Sequence, residues 1–377
     1  MFSGKKQLLY HIYWGTAGNA GLYLDEIYQC LSKAGFNQKV FVNFYYPFDY
    51  GEKVFFKRTE MEHTRYKGKR RKIMQAIELV SALIKILICA RIEKPKIVNY
   101  SYVSSGNVLL LFFLKLIKKV SGCYLVITCH DVVPFANVKK RFDKEITIKR
   151  KIYALADYYL IHNKESIKDL KSLFGVNENK VLQHSFPLMD LSKLDTNHEE
   201  SEIKFDFLFI GHMRREKGLD LLVEAWQEFH KQNPTKTLCI AGNPDYYKEY
   251  LDERKDSLKD IGVTLILGFI KDNDYINIVK SARCVIFPYT AGTNSGVIST
   301  VASLRRDVIT SDISMFSANP FVPQDNMFHA KSVPALTNKL TDYISDNLVS
   351  DSEERISLYR MTFDKELIDV YNFLIKQ

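Results

Sequence analysis

The stretch FLFIGHMRREKGLDLL, residues 207–222, begins as a run of large apolar residues and turns polar after a glycine. Such a run is typical of a buried strand, and the apolar spacing after Gly218 is typical of a helix. Arg214, Arg215 and Lys217 lie between the two, beside the helix start. Cations at such a turn converge on an anion, and a diphosphate suits them. The stretch therefore predicts a β-α unit that binds an anion.

Short β-branched and aromatic runs alternate with helix-like stretches on both sides of this unit. The predicted strands before it are Gln7–Trp14, Lys39–Tyr45, Lys96–Tyr102, Tyr124–His130, Tyr158–His162 and Val181–His184. The predicted strands from its own onward are Phe205–Ile210, Thr237–Ala241, Val263–Leu267, Arg283–Pro288 and Asp307–Thr310. Such alternation indicates β-α-β units around parallel sheets. The sequence therefore predicts an α/β protein with two doubly wound, Rossmann-like domains that face a central cleft.

Composition and charge suggest where the domains divide. The chain has 377 residues, 46% hydrophobic and 26% charged, which excludes a disordered chain and allows two domains. Residues 1–187 carry 31 Lys and Arg against 15 Asp and Glu, whereas residues 188–377 carry 22 against 29. We expect domains at 1–187 and 205–350, a linker at 188–204 and a helical tail at 351–377. The basic first domain is expected to face something anionic.

The cysteines and the amino terminus favour a cytoplasmic protein. None of the six cysteines stands in C-x-x-C spacing, which argues against a zinc site and for a reducing compartment. The first residues lack an apolar signal core, and no run of about 18 uncharged apolar residues occurs. The sequence therefore predicts a protein that is neither secreted nor membrane-spanning.

Two apolar stretches of the first domain have basic flanks. The run Arg65 to Lys72 leads into Ile73 to Ile92, and Lys115, Lys118 and Lys119 accompany the second apolar stretch. Helices of this composition rest on anionic lipid headgroups. The alternative interpretation is a buried core helix with a solvated basic end.

Two further loops join a strand to a helix. The first strand runs into the glycine-rich stretch 15–21, which includes Gly18 and Asn19. Its backbone amides can approach a phosphate or a sugar, or the loop is a tight turn without a ligand. In the second domain, residues 287–298 place small hydroxyl residues and glycine at a helix start. There the amides of Ser295 and Gly296 are expected to hold phosphate oxygens, and the alternative is a serine-capped helix after a loop.

Four segments together resemble the family 4 glycosyltransferases, which have the two-domain GT-B fold. Gly211 to Leu222 resembles that family's G-x-I-R-x-Y-K-G-x-D-x-L-L signature, and Pro288 to Ile298 is similar to its P-Y-x-x-x-T-Q-S-G-V-I donor motif. Thr128 to Phe135 is similar to its T-x-H-D-x-x-P stretch, and Ala156 to Ser166 to its A-D-x-I-I-x-x-S segment. The resemblance spans roughly residues 7–312.

The donor motif departs from the family at two positions. Many members carry two glutamates eight positions apart, and here Gly292 and Thr300 stand there. Neither residue can act as a carboxylate. The resemblance is therefore to a variant that lacks both motif glutamates.

The resemblance implies a retaining transferase that uses a nucleotide diphosphate sugar and needs neither a metal nor another cofactor. Arg214 and Lys217 then hold the donor diphosphate and stabilise the leaving group, opposite the helix start named above. His130 is implied to contact the donor sugar, although a lone histidine is often structural. Gly18 and Asn19 are implied to close over that sugar. The other donor-binding positions that the resemblance implies are Thr293, Asn294, Ser295 and Gly296.

The family and the basic first half point to an acceptor at a membrane. The expected reaction is hexosyl transfer to a lipid-linked saccharide in bacterial lipopolysaccharide O-antigen or capsule synthesis. The protein is then expected to be cytoplasmic, peripheral at the inner face of an anionic cell membrane, with its first domain facing the acceptor and its second binding the nucleotide sugar.

Other functions stay open at this point. A nucleotide-sugar 2-epimerase has the same fold, but the sequence shows no evident carboxylate pair for proton transfer. A nucleic-acid-binding protein would use the run Arg65 to Lys72, but no nucleic-acid-binding motif accompanies it and the second half is acidic, so no nucleic acid is expected. A non-catalytic GT-B protein that binds a partner transferase remains, because both motif glutamates are missing.

Overall fold

The computed structural model divides the chain into two compact units, Met1–Pro187 with Thr362–Gln377, and Leu188–Met361. It describes residues 7–377 except 16–19, 45, 47, 49, 60–64, 102–107, 131, 133–138, 195–201, 293–295, 318, 320 and 347–351.

The first unit contains a parallel sheet. Its described strands are β1 (Leu8–Ile12), β2 (Asn37–Asn43), β3 (Glu52–Phe55), β4 (Ile97–Tyr100), β5 (Tyr124–Thr128), β6 (Tyr158–Ile161) and β7 (Val181–Gln183). The strands pair in the order β3-β2-β1-β4-β5-β6-β7. The helices that connect them are α1 (Ala20–Lys33), α2 (Gly68–Glu93), α3 (Val108–Ser121), α4 (Lys139–Tyr153) and α5 (Glu165–Phe174). β4 and most of β1, β5 and β6 are buried, because helices cover a parallel sheet on both faces.

Helix α2 packs against the sheet along one side only. Leu83, Ile86 and Ala90 belong to the core that the sheet shares with α3. Of the helices in the described part of the chain, α2 alone is long and apolar enough to cross a membrane, with an 18-residue window of mean hydropathy 2.0. Core helices of soluble proteins pass the same test, but only 22% of this window is buried. The helix is therefore neither a core helix surrounded by protein nor a wholly polar surface helix.

The second unit contains another parallel sheet. Its described strands are β8 (Phe205–Ile210), β9 (Leu238–Gly242), β10 (Val263–Leu267), β11 (Ala282–Phe287), β12 (Asp307–Ser311) and β13 (Met327–Phe328). They pair in the order β10-β9-β8-β11-β12-β13. The helices are α6 (Leu219–Gln232), α7 (Lys248–Asp260), α8 (Asp272–Lys280), α9 (Gly296–Ser303), α10 (Ser314–Ser317) and α11 (Val333–Asp346). Helix α12 (Ser352–Lys376) begins in this unit and belongs to the first unit from Thr362.

Both strand orders reverse direction at one place, between β1 and β4 in the first unit and between β8 and β11 in the second. The predicted α/β fold with two parallel, doubly wound sheets is therefore confirmed. In such sheets ligands bind outside the carboxyl ends of the two strands at which the order reverses. In the second unit these ends lead into the loops at 211–218 and 288–292.

The structure differs from the predicted organisation at both ends of the second unit. Instead of forming a linker, Leu188, Met189 and Leu191 are buried in that unit, where the backbone amide of Met189 donates to Ser299 Oγ over 2.8 Å. The predicted separate tail is the single helix α12, and its part from Thr362 belongs to the first unit. There Asn99 Nδ2 donates to the hydroxyl of Tyr371 over 3.1 Å, which fixes this part of the helix on the first sheet.

Candidate functional site

Lys217 and Tyr289 form the centre of the candidate site in the second unit. The Lys217 ammonium donates to the Tyr289 hydroxyl over 2.5 Å and lies 3.8 Å from the centre of the tyrosine ring. Burial, and after it the charge of Arg214, lowers the pKa of Lys217 to about 8. A desolvated cation held by one neutral partner gains strongly from an anion, because the anion restores the interactions that burial removed.

The two loops of the site are pressed together by their backbones. Gly218 has a φ of +65°, and a Cβ there would lie 2.1 Å from the carbonyl oxygen of Pro288. The backbone amide of Thr290 donates to the carbonyl of Glu216 over 2.9 Å. Because β8 and β11 are neighbours, both loops leave the same edge of the sheet. Glycine at 218 is thus what lets the loop that carries Lys217 lie against the loop that carries Tyr289.

A second close approach lies on the other side of the same loop. A Cβ on Gly242 would lie 2.0 Å from the carbonyl oxygen of Gly211, so β9 ends directly against the glycine that closes β8. Beside it, His212 Nε2 lies 2.7 Å from Asp245 Oδ2. The loop after β8 is therefore held between two neighbouring loops, and its cations have a defined position.

Arg214 lies at the more exposed side of the loop. Its guanidinium Nη1 is 4.0 Å from Glu216 Oε1, at the limit of an ion pair, and its side chain is about half exposed. A guanidinium in this position offers a planar set of donors to a phosphate. Arg214 and Lys217 thus provide an exposed and a half-buried cation on one loop.

Helix α9 begins at Gly296. A Cβ there would lie 2.7 Å from the Met189 side-chain methyl Cε, so the helix start is tightly packed on the side of Met189. The predicted donor-binding residues Thr293, Asn294 and Ser295 lie outside the described residues. Their contribution to the anion site stays a prediction.

Gly292 and Thr300, the two positions at which the resemblance implies glutamates, both pack against neighbouring side chains. Thr300 is fully buried and its Oγ1 lies 3.2 Å from the hydroxyl of Tyr275 on α8, while it donates to the carbonyl of Val297 over 2.8 Å. A Cβ on Gly292 would lie 3.2 Å from Met315 Cε. Position 300 thus carries an uncharged side chain that is hydrogen-bonded within the second unit.

Three histidines of the first unit follow neighbouring strands. His130 follows β5, His162 follows β6 and His184 follows β7. The ring centres of His130 and His162 are 5.1 Å apart, and those of His162 and His184 are 4.8 Å apart. Tyr23 of α1 stands edge-on to the His130 ring at 4.4 Å. The predicted residue His130 is thus part of a packed row of rings.

Burial makes these histidines weak bases. It lowers the pKa of His130 and of His184 to about 4, and that of His162 well below its usual value. The rings are neutral near pH 7, where an imidazole both donates and accepts hydrogen bonds. Across the described residues, no three His, Cys, Asp or Glu side chains are grouped so that they could hold a metal ion. Gly18 and Asn19 lie outside the described residues.

The sequence pattern does not identify Tyr289 as the partner of Lys217. Nor does it identify Tyr23, His162 and His184 as neighbours of His130. A signal for the histidines was present: both His162 and His184 stand at the ends of predicted strands, as His130 does. Parallel strands end at one edge, so these positions lie together once the strand order is known.

Comparison with known proteins matches the second unit to a family. Residues 204–346 match the model of the family described as Glycosyl transferases group 1. No curated protein sequence matches the chain.

Solved structures match the whole chain in fold. Sucrose-phosphate synthase from Thermosynechococcus elongatus has a TM-score of 0.62 at 14% identity, covering 98% of this chain and 99% of its own. Anabaena Alr3699/HepE in complex with UDP has a TM-score of 0.62 at 14% identity, covering 98% and 100%. The pneumococcal O-GlcNAc transferase GtfA, in complex with UDP and GlcNAc, has a TM-score of 0.62 at 11% identity, covering 99% and 99%. The chain thus has the α/β fold of GT-B glycosyltransferases, and its second unit carries the match to group 1 glycosyl transferases.

Proposed function

We propose that the protein is a glycosyltransferase that transfers a hexose from a nucleotide diphosphate sugar to a saccharide acceptor. The observation that carries the proposal is the half-buried Lys217 ammonium, held against Tyr289 at the strand reversal of the second unit. A partly desolvated cation at that place is suited to a diphosphate. The family match of the same unit and the UDP-bound structural neighbours support this assignment.

Lys217 and Arg214 act on the leaving group in this proposal. As the bond between the anomeric carbon and the diphosphate oxygen breaks, the electron pair goes to that oxygen and negative charge develops there. Fixed cations in a partly desolvated site stabilise this charge without reorganising. The diphosphate also raises the pKa of Lys217 from about 8, so the lysine is fully protonated when the donor is bound.

The reaction is proposed to retain the anomeric configuration. The acceptor oxygen then bonds to the anomeric carbon on the face that the diphosphate leaves, and the acceptor proton passes to the departing phosphate oxygen. This course needs no protein nucleophile, no metal and no other cofactor. Its support is the resemblance of the two donor segments to retaining enzymes.

His130 is proposed to bind the donor sugar as a neutral ring. With its pKa lowered to about 4 it carries no charge at pH 7, so it is suited to a sugar hydroxyl and not to a phosphate. Tyr23 and His162 pack against the ring and limit its rotation. Gly18, Asn19, Thr293, Asn294, Ser295 and Gly296 complete the proposed donor site.

The acceptor is proposed to be a lipid-linked saccharide at the cytoplasmic face of the membrane. The excess of Lys and Arg in residues 1–187 supports an anionic surface as a partner. A role in O-antigen or capsule synthesis follows from the family resemblance.

The test is thermal stabilisation by UDP, GDP, dTDP and their sugars, followed by transfer or hydrolysis of the donor that binds. A ligand that binds the native state raises the unfolding midpoint with concentration. Stabilisation by one nucleotide diphosphate supports the donor site and names the base. Stabilisation by none of them overturns it.

A second candidate is a non-catalytic GT-B protein that binds a partner transferase. The observation in its favour is Thr300, which is buried and paired with Tyr275 where many relatives place a glutamate. A protein of this kind binds the nucleotide but turns over no donor, alone or with acceptor. Turnover of the bound nucleotide sugar by the isolated chain excludes it.

A further inference from the structure

The outer side of α2 carries a continuous apolar row. Six β-branched residues along the helix are between 45% and 75% exposed: Ile73, Ile77, Val80, Ile84, Ile88 and Ile92. Their spacing of three and four residues places them on one face. We call these six residues the isoleucine face. A row of this length is unusual on protein surface that meets only water.

The opposite side of α2 holds the helix in place. Ala82, Leu83, Ile86 and Ala90 are at most 4% exposed and belong to the core of the first unit. The helix cannot cross a bilayer without leaving that core, although its composition suits a membrane. A partner can therefore contact α2 only along the isoleucine face, with the helix axis parallel to the surface of that partner.

Cations line the same helix. The exposed basic residues are Lys69, Arg70, Lys72, Lys85 and Arg91. The two carboxylates of α2 are engaged within the unit: Glu78 accepts from the Arg58 amide over 2.6 Å, and Glu93 pairs with Lys39 over 2.8 Å. The charge that α2 presents outward is therefore positive.

The neighbouring helix α3 continues the pattern. Val108 and Phe112 are 66% and 60% exposed. One turn further along, Lys115 and Lys119 are also exposed. Because the positions 108, 112, 115 and 119 share one face of α3, this helix has an apolar end and a basic end on its outer side.

We propose that the isoleucine face, with Val108 and Phe112 of α3, lies on a bilayer that contains anionic lipids. The apolar side chains enter the boundary between headgroups and acyl chains, while the lysines and arginines contact the phosphates. The charge decides between occupants. Lys85 is paired with Glu52 Oε2 over 3.4 Å. A second copy of this face would bring the other four cations of each chain together, whereas an anionic bilayer neutralises them. These residues would provide the membrane contact of the proposed function. Only the lipid-linked acceptor, and not the contact itself, rests on that proposed function.

The experiment is sedimentation of the full chain with vesicles of phosphatidylcholine alone or with 30% phosphatidylglycerol. The apolar variant is Ile77→Gln, Ile84→Gln and Ile88→Gln together, and the charge variant is Lys69→Glu, Arg70→Glu and Lys72→Glu together. Each is expected to lower the partition coefficient on anionic vesicles about tenfold or more. In 0.5 M salt, the wild-type protein is expected to keep the apolar part of its binding, and the apolar variant to lose it.

Matched controls change exposed residues elsewhere. Leu358→Gln with Met361→Gln removes two apolar side chains that are 64% and 67% exposed on α12. Lys248→Glu, Lys255→Glu and Lys259→Glu reverse three exposed charges on α7. Both controls are expected to bind vesicles like the wild type.

Three outcomes overturn the inference. The first is equal binding of the wild-type protein to neutral and anionic vesicles. The second is a loss of vesicle binding in the control variants as large as in the test variants. The third is a protein that binds no vesicles but forms a concentration-dependent dimer, which the apolar variant does not form. Nucleotide stabilisation is measured on the same variants and is expected to persist. If the chain binds vesicles but no nucleotide, the proposed function is contradicted and the membrane surface is supported. If it binds a nucleotide but no vesicles, the membrane surface is contradicted and the proposed function is supported.

Discussion

The ammonium of Lys217 donates to the hydroxyl of Tyr289 over 2.5 Å, so one neutral side chain holds a cation that burial has made a weaker base. This pair joins the loop after β8 to the loop after β11. In the proposed donor complex, a diphosphate oxygen is expected to replace the tyrosine hydroxyl as the acceptor of the Lys217 ammonium.

Lys217→Ala is expected to abolish the stabilisation that the cognate nucleotide diphosphate gives. A ligand at about 100 times its Kd stabilises the native state by about 2.7 kcal/mol, which a midpoint measurement detects. Tyr289→Phe keeps the ring and is expected to keep the nucleotide effect. The control is Lys231→Ala, because the ammonium of Lys231 pairs with Glu228 on an exposed helix surface. If the nucleotide diphosphate stabilises Lys217→Ala as much as the wild type, Lys217 does not belong to the donor site.

Gly218→Ala is expected to destabilise the second unit and to weaken nucleotide binding together. A Cβ at 218 meets the Pro288 carbonyl, and a left-handed φ alone costs about 1–2 kcal/mol for a residue other than glycine. The control is Gly175→Ala, which has a φ of +69° and no atom within 4 Å of the added Cβ. Chemical denaturation and nucleotide titration of both variants test this. Equal effects of the two substitutions would show that the loop contact does not matter.

The first unit is expected to lose stability as the pH falls from about 6.5 to about 4. The folded-state pKa values of His11, His130 and His184 lie at about 4, below the ordinary 6.5, so the unfolded chain binds more protons in this range. The free energy of unfolding therefore rises with pH across the interval and levels off above it. Denaturant unfolding at a series of pH values measures the slope.

His162→Leu is expected to flatten that slope, because it removes one buried ring whose pKa is depressed and whose positive charge would oppose those of its neighbours. His212→Leu is the control, since His212 lies on an exposed loop of the other unit. An unchanged slope in the first variant would mean that other groups control acid unfolding.

Ile86→Ala and Ile84→Ala compare the two sides of α2. Ile86 is fully buried, so its truncation is expected to cost about 2–5 kcal/mol of stability, whereas Ile84, 53% exposed, is expected to cost no more than about 0.5 kcal/mol. Chemical denaturation of both variants tests the orientation of the helix. Similar losses would contradict it.

Thr300→Glu is expected to destabilise the second unit by more than about 3 kcal/mol instead of restoring a family carboxylate. Thr300 is fully buried, and its side chain packs against Tyr275 and the preceding turn of its own helix. A carboxylate there would be removed from water, which is costly for a charged group. Thr300→Val is the milder comparison, with an expected loss of about 1 kcal/mol for the hydrogen bond. A stable, more active Thr300→Glu variant would contradict this interpretation.

The sequence predicted the central strands of both described sheets but only two of the four edge strands, β7 and β10. Strands such as Phe205–Ile210 are apolar enough to stand out alone, whereas β3 and β13 are short and lie at the two sheet edges, so neither stood out. Helix α11 was also missed, because its polar positions outweigh the apolar ones that pack against α6.

Site residues divide in the same way. Arg214 and Lys217 follow a strand directly, so chain position alone places them at the sheet edge. Tyr289 was in a quoted motif, but its contact with Lys217 depends on the backbone approach at Gly218, which no spacing rule gives. The two interpretations of α2, a helix resting on lipid headgroups and a buried core helix, were each incomplete, because one side of the helix is core and the other is exposed. Apolar residues on both sides of a helix do not reveal which side is buried.

The position of Tyr371 under the first sheet has a consequence for biosynthesis. A ribosome that has completed residue 187 has made all the described strands of the first unit. The segment from Thr362, whose Tyr371 hydroxyl accepts a hydrogen bond from Asn99, is still untranslated at that point. The first unit therefore completes its packing after the second unit has been synthesised, and a fragment ending at residue 187 leaves the polar side chain of Asn99 on an uncovered part of the sheet. Nascent chains stalled before residue 362 should consequently expose that surface to chaperones, although every strand of the sheet has already left the tunnel.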